Sequence, residues 1–302
     1  MVVGNGQSYY GPVVVGGGGG SGTRVVAQIL KELGFYLGAD LNPANDNLWF
    51  TLLFKRPRWF SESPDEEVFK GLRVFEKAMT GGLGSGLQRD ELRFITSATT
   101  GMVFSGHNHK GWGRGLWPIK RAAKMFLSKR EVGSSACATW GWKEPNTHVY
   151  IRYLNDYFDN LKYIHVMRHG LDMAYSTNQA QLYSWGRLFG VQMPNSIQPL
   201  PKASLEYWIK SNTTALALGK RLLGGRFFVV NFDRLCSEPR REVKKLVRFL
   251  DMDENNVSMD ELCSLPKTPL SAGRYRRCEL GIFDKDEIDA VRKLGFTVDG
   301  QA

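Results

Sequence analysis

The chain has 302 residues, 42% of them hydrophobic and 23% charged, a composition that excludes a disordered or fibrous polymer and allows one large core. Its formal net charge is +10, which favours a polyanionic partner: nucleic acid, a membrane surface or a phosphorylated small molecule. No lysine- or arginine-rich tail gathers that charge, which argues against nucleic acid.

The first predicted element is a buried strand over 12–16 (PVVVG), which runs through a block of five glycines and Ser-Gly-Thr-Arg into a helix over 23–33. A helix follows over 65–79. The stretch 81–117 is rich in glycine and turn residues and is expected to hold long loops over the carboxyl edge of a sheet. Then come a helix over 118–130, a strand over 138–142, a helix over 146–158, a strand over 162–168 and a helix over 171–182. The segment 183–202 reads as a loop or lid, followed by a helix over 203–223, a strand over 226–232 and helices over 238–251 and 285–294. Short strands that are apolar on both faces and alternate with helices predict an α/β fold, a central parallel β-sheet flanked by helices. A single domain over 1–302 is expected, with inserted loops near 81–117 and 183–202.

Cys137, Cys236, Cys263 and Cys278 are scattered, with no Cys-x-x-Cys pair and no histidine spacing for zinc, so free thiols and no metal are expected. The residues before the first strand show no basic segment followed by an apolar stretch long enough for a signal peptide, so none is expected, and no window approaches about 18 apolar residues. The expectation is a cytoplasmic protein without a transmembrane segment.

A strand, a glycine-rich turn and a helix N-terminus together present backbone N–H groups and a positive dipole end to an anion. Gly17 and Gly22 have the spacing of a nucleotide-kinase loop, but Thr23 stands where that motif needs lysine. Gly17, Gly19 and Gly22 also match Gly-x-Gly-x-x-Gly, and Asp40 lies near the place of a ribose-binding acid. That pattern leaves open a nicotinamide- or flavin-binding oxidoreductase. In YIHVMRHGLDMAYS, Arg168 leaves a strand and Ser176 is expected two turns into the next helix, so the two can converge on one phosphate. Arg168 as an ion-pair partner of Asp172 is the alternative.

Taken in order, these motifs resemble the sulfotransferase family, which has a P-loop-like architecture and uses PAPS (3'-phosphoadenosine 5'-phosphosulfate) as sulfuryl donor, releasing adenosine 3',5'-bisphosphate. The resemblance implies that Gly20, Ser21, Gly22, Thr23 and Arg24 hold the 5'-phosphosulfate. It implies that Arg168 and Ser176 in VMRHGLDMAYS hold the 3'-phosphate, and that Gly273, Arg274 and Tyr275 in SAGRYRRCEL close over the nucleotide. The strand and helix of VVNFDRLCSEPRREVKKLVRFLDMD are also similar to the family. Two departures stand out: Gly20 occupies the usual basic position before Ser-Gly-Thr, leaving Arg24 as the nearest charge, and Gly170 replaces the usual proline.

Lys143 in WGWKEPNTH resembles a Lys-x-Pro element beside the sulfuryl group and is expected to stabilise charge on the departing phosphate. His107 and Glu144 are candidate bases for the acceptor hydroxyl, with His109 a weaker one. Trp112, Trp117, Trp140 and Trp142 are candidates for lining an acceptor site or simply for the core. The function implied is sulfuryl transfer from PAPS to a hydroxyl of a carbohydrate or small metabolite; a non-catalytic nucleotide-binding protein is the other alternative.

Overall fold

The computed structural model describes residues 11–84, 86–107, 110–128, 139–195 and 199–298. Its chain order is β1 (Val13–Gly17), α1 (Thr23–Glu32), α2 (Leu48–Phe54), α3 (Pro57–Glu62), α4 (Asp65–Thr80), α5 (Arg89–Ser105), α6 (Leu116–Leu127), β2 (Gly141–Lys143), a 3-10 turn (Pro145–Tyr150) and α7 (Ile151–Tyr157). The second half runs through β3 (Lys162–Met167), α8 (Gly170–Ala174), α9 (Ala180–Trp185), α10 (Leu200–Leu223), β4 (Phe227–Asn231), α11 (Phe232–Ser237), α12 (Pro239–Phe249), α13 (Met259–Ser264) and α14 (Lys285–Lys293).

The strands pair in the order β2-β1-β3-β4 and all are parallel. The pleat of β1 divides its valines between two cores. Val14 faces Trp142, Tyr163 and the apolar sides of α2, α4 and α7, whereas Val13 and Val15 face Ile164, Val166, α1 and α12. With both faces covered, every β1 and β3 residue is buried, which is why these strands read as unbroken apolar runs rather than as alternation. A third cluster joins Leu171 and Ala174 of α8 to Trp208, Tyr275 and α14.

From β1 the chain moves to β2 on one side and then crosses to β3 on the other. This reversal creates a crevice beyond the carboxyl ends of β2, β1 and β3, the place where open parallel sheets bind ligands.

Several expected elements differ. The loop-rich stretch 81–117 contains α5, entered through a reciprocal cap between Gln88 and Glu91, so among the described residues the loops are confined to its two flanks. The helix expected over 171–182 divides into α8 and α9, because Ser176, Asn178 and Gln179 bond to nearby backbone and break the ladder. The early part of the segment read as a loop or lid is the end of α9 and a 3-10 turn over Gly186–Phe189. The strand expected over 138–142 is displaced to Gly141–Lys143. No helix among the described residues is long and apolar enough to cross a membrane.

Candidate active site

The floor of the crevice is the turn between β1 and α1. Gly17 has φ 145° and a Cβ there would stand 2.2 Å from Val166 O; Gly22, the N-cap of α1, has φ 97° and a Cβ would stand 2.1 Å from the Phe232 ring. Only glycine fits either place. Between them Gly18, Gly19 and Gly20 line a cleft of about 430 Å³ with open backbone. Thr23 is buried at its lining and Ser21 is buried outside it, and the Ser21 hydroxyl has no hydrogen-bond partner among the described residues.

Parallel register brings Lys143 to the same edge, opposite Val15. Its ammonium donates to Ala44 O at 3.1 Å and pairs with the Asp46 carboxylate. Burial pushes the Lys143 pKa down, and the Asp46 charge opposes that shift. Asp46 is held there by local chemistry. Asn42 Oδ1 accepts from the backbone of Ala44 and Asp46, both at 2.9 Å, Asn42 Nδ2 donates to Asp46 at 2.8 Å, and the Asn47 N–H donates to Lys143 O at 2.8 Å. Asn47 also caps α2 through its side chain.

Glu144 lines the cleft but is sealed, 1% exposed. Its oxygens accept from Asn146 N and Nδ2, each at 2.7 Å, and one lies 3.7 Å from Lys55 Nζ. Burial raises its pKa against the pull of Lys55. Asn146 passes the network on: its Oδ1 accepts from Gln181 Nε2 at 2.8 Å, and the Gln181 carbonyl accepts the Gly19 N–H.

Arg168 follows β3, lines the cleft and is buried. One Nη donates to Ser271 Oγ at 3.0 Å and stands 3.6 Å from Asp172, while Nε has no partner among the described residues. The ion pair with Asp172, the alternative reading of Arg168, is therefore present, yet Asp172 is shared: its carboxylate accepts the N–H of Gly273 at 2.8 Å and of Tyr275 at 3.3 Å. Asp172 thus pins the Gly-Arg-aromatic loop behind Arg168.

The sequence-derived residues separate into two groups. Gly20, Gly22, Thr23, Arg24, Lys143, Glu144 and Arg168 meet around the cleft. Ser176 does not: it lies beyond the end of α8, and its hydroxyl accepts from Asn178 N at 3.2 Å. Gly273, Arg274 and Tyr275 also stand outside the lining. Tyr275 is buried with its ring stacked on His169 at 4.5 Å, and Arg274 donates to Ser271 O and Tyr175 O.

His107 lies outside the lining, half-buried against Trp117, with its pKa pushed down to about 4 by burial and then by Lys55. His109 and Cys137 fall outside the described residues. Trp140 and Trp142 are core, Trp117 is half-buried and Trp112 is exposed. Asp40 is not a ribose ligand here: it is buried and bonded to Arg121 at 2.8 Å and Lys124 at 2.9 Å. Gly170 packs against Trp208, where a Cβ would come within 2.7 Å of the ring.

Sequence reasoning missed Asp46, Lys55, Asn146 and Gln181. The Asn-rich turn NPANDN before an apolar run signalled a capped helix start; nothing in the sequence marked Gln181.

Cations dominate the lining: Arg24, Lys55, Lys143 and Arg168 face only Asp46 and Glu144. A glycine loop, a helix N-terminus and this excess of positive charge together suit a polyanion. Residues 12–256 match the sulfotransferase family.

The chain belongs to the sulfotransferase family.

Similar solved structures include the sulfotransferase domain from the curacin biosynthetic pathway, 13% identical with TM-score 0.51, covering 96% of this chain and 99% of that one. The sulfotransferase domain of the Synechococcus PCC 7002 olefin synthase is 16% identical with TM-score 0.47 and 95% of each chain covered. STF9 from Mycobacterium avium is 14% identical with TM-score 0.49, covering 95% of this chain and 76% of that one. No curated protein matches the chain. Family and fold agree on a P-loop-like sulfotransferase architecture, and family membership sets aside the oxidoreductase reading of the glycine pattern.

Proposed function

We propose that this sulfotransferase takes PAPS as donor and transfers its sulfuryl group to a hydroxyl of a carbohydrate or small metabolite, as a cytoplasmic enzyme. The observation that carries the donor assignment is the group of four cations around an open glycine loop at the switch point of the sheet. Bound there, PAPS supplies an activated sulfuryl group and a phosphate leaving group.

In this reading the amides of Gly18 and Gly20, with Arg24, hold the 5' side, while Gln181 holds the Gly19 N–H. Arg168, with its unused Nε, holds the 3'-phosphate, and Asp172 fixes its approach. Ser176 and the Gly273 to Tyr275 loop act only by supporting Arg168 and α8. Lys143 meets the charge that grows on the leaving oxygen as the sulfur–oxygen bond breaks and the new one to the acceptor forms. Asp46 takes the acceptor's hydroxyl proton: its side chain is 21% exposed and can be reached, whereas Glu144 is sealed. Glu144 positions Asn146 and Lys55, and His107 stands outside the cleft lining, within the fields of Lys55 and Asp46.

Calorimetry separates this reading from its rivals. Adenosine 3',5'-bisphosphate should bind and NAD should not; tight NAD binding without bisphosphate binding would overturn the donor assignment. Release of bisphosphate from PAPS with an acceptor panel distinguishes an enzyme from a binding protein.

A further inference from the structure

Helix α6 carries apolar residues on two faces. At about 100° per residue, Pro118, Ala122 and Met125 form one stripe and are buried, packed with α2 and α5. Leu116, Ile119, Ala123, Phe126 and Leu127 form a second stripe over three turns, and it points outward. Leu116 is 67% exposed and Leu127 76%. Phe104 at the end of α5 and Trp112 in the adjoining loop are exposed as well. A surface helix ordinarily turns its charged side outward; here the outward stripe is apolar and the charges flank it.

Those charges are all of one sign. Residues 106–128 contain Lys110, Arg114, Lys120, Arg121 and Lys124 and no aspartate or glutamate. Arg121 and Lys124 share Asp40, whereas Arg114 and Lys120 are exposed beside the apolar stripe. Large aliphatic and aromatic side chains flanked by lysine and arginine are the pattern of a helix that lies in the plane of an anionic bilayer, its apolar side chains among the acyl chains and its cations at the headgroups.

We propose that the outer face of α6, with Phe104 and Trp112, docks this protein on the surface of an anionic lipid bilayer. The one-sided charge is what selects a bilayer over a protein partner: a headgroup layer is negative throughout and needs no register of alternating charges. Helix α6 is tied through Arg121 and Lys124 to Asp40, six residues before the cleft residue Asp46.

The full chain should co-sediment with vesicles of phosphatidylcholine and phosphatidylserine, and about tenfold less with phosphatidylcholine alone, with binding weakened by salt. The triple substitution Leu116→Ser, Phe126→Ser and Leu127→Ser should reduce vesicle binding by about tenfold or more while leaving the melting temperature near that of the unaltered protein, since all three side chains are exposed. Lys120→Glu should weaken binding to the anionic vesicles selectively. Failure to bind either vesicle, or equal binding by the triple variant, overturns the proposal. So does a protein that sediments as a dimer dissociated by the same substitutions, or one whose α6 variants lose an acidic protein partner but no lipid binding.

Discussion

Replacing Lys143 by methionine keeps most of the side-chain volume and removes the charge. Two effects on stability oppose each other. Burial lowers the Lys143 pKa, so charging this ammonium costs more in the folded than in the unfolded state, and deleting the charge relieves that cost. Asp46 loses its partner, but at 21% side-chain exposure water and Asn42 replace part of the interaction. Breaking a fully buried pair costs about 3–5 kcal/mol; with this degree of exposure about 1 kcal/mol is the appropriate scale, or a melting shift of about 2–4 °C. Catalysis should respond far more. A cation meeting charge that develops on the leaving oxygen is worth about 2.7–4 kcal/mol, a loss of roughly a hundredfold to a thousandfold in turnover. The assay is steady-state bisphosphate release from PAPS beside calorimetric bisphosphate affinity and a thermal melt. A Lys143→Met protein that turns over normally, or loses turnover only in step with folded fraction, refutes the reasoning and leaves Lys143 as scaffold.

Arg168→Ala should weaken adenosine 3',5'-bisphosphate by about 1.5–3 kcal/mol, the range of a charged hydrogen bond, and adenosine 5'-phosphate hardly at all; calorimetry with both nucleotides tests it, and equal losses would count against the 3'-phosphate assignment. Arg24→Ala should reduce PAPS affinity, because Gly20 supplies no charge, and unchanged affinity would mean that the loop works through its amides alone. Gly22→Ala should destabilise the fold by more than about 2 kcal/mol in urea titration, since a Cβ at 2.1 Å from the Phe232 ring adds a clash to a left-handed backbone. His148 and His165 are buried with pKa values pushed down to about 4 and about 3 by desolvation. The unfolded chain therefore binds more protons below its ordinary histidine value of 6.5. Stability should be fully present above that pH and fall as pH drops from about 6.5 toward 4; urea midpoints across this window check it, and His148→Phe should flatten the slope.

The parts legible in the sequence were those in which one chemical pattern leaves one solution. β1, its glycine turn and α1 stand where expected, as does β3, because a short run apolar on both faces beside a helix has few placements other than the middle of a parallel sheet; β4 also stands where expected, but as a half-buried edge strand. α5 is hidden by its flanks: the glycine-rich TGGLGSG and SGHNHKGWGRG overshadow a helix whose buried apolar stripe is Phe94, Ile95, Ala98 and Met102. α2 was hidden for the opposite reason, since every residue of LWFTLLF is buried and no periodicity survives. Ser176 was placed on a helix by spacing alone, and side-chain competition from Ser176, Asn178 and Gln179 ended that helix first. Lys143 and Arg168 were legible as the residues leaving strands. Asp46, Lys55 and Gln181 reach the cleft from loops and short helices distant in sequence, and pairings of that kind appear only when the chain is folded.

The most direct test of the account is radiolabelled sulfuryl transfer: [35S]PAPS incubated with the protein and a panel of hydroxyl acceptors, with label in the acceptor and bisphosphate release followed together. The account predicts equal yields of labelled product and bisphosphate, abolished in Arg168→Ala at low donor concentration and depressed about a hundredfold or more in Lys143→Met. Label transferred at the same rate by both variants, or no bisphosphate binding by a well-folded protein, would contradict it.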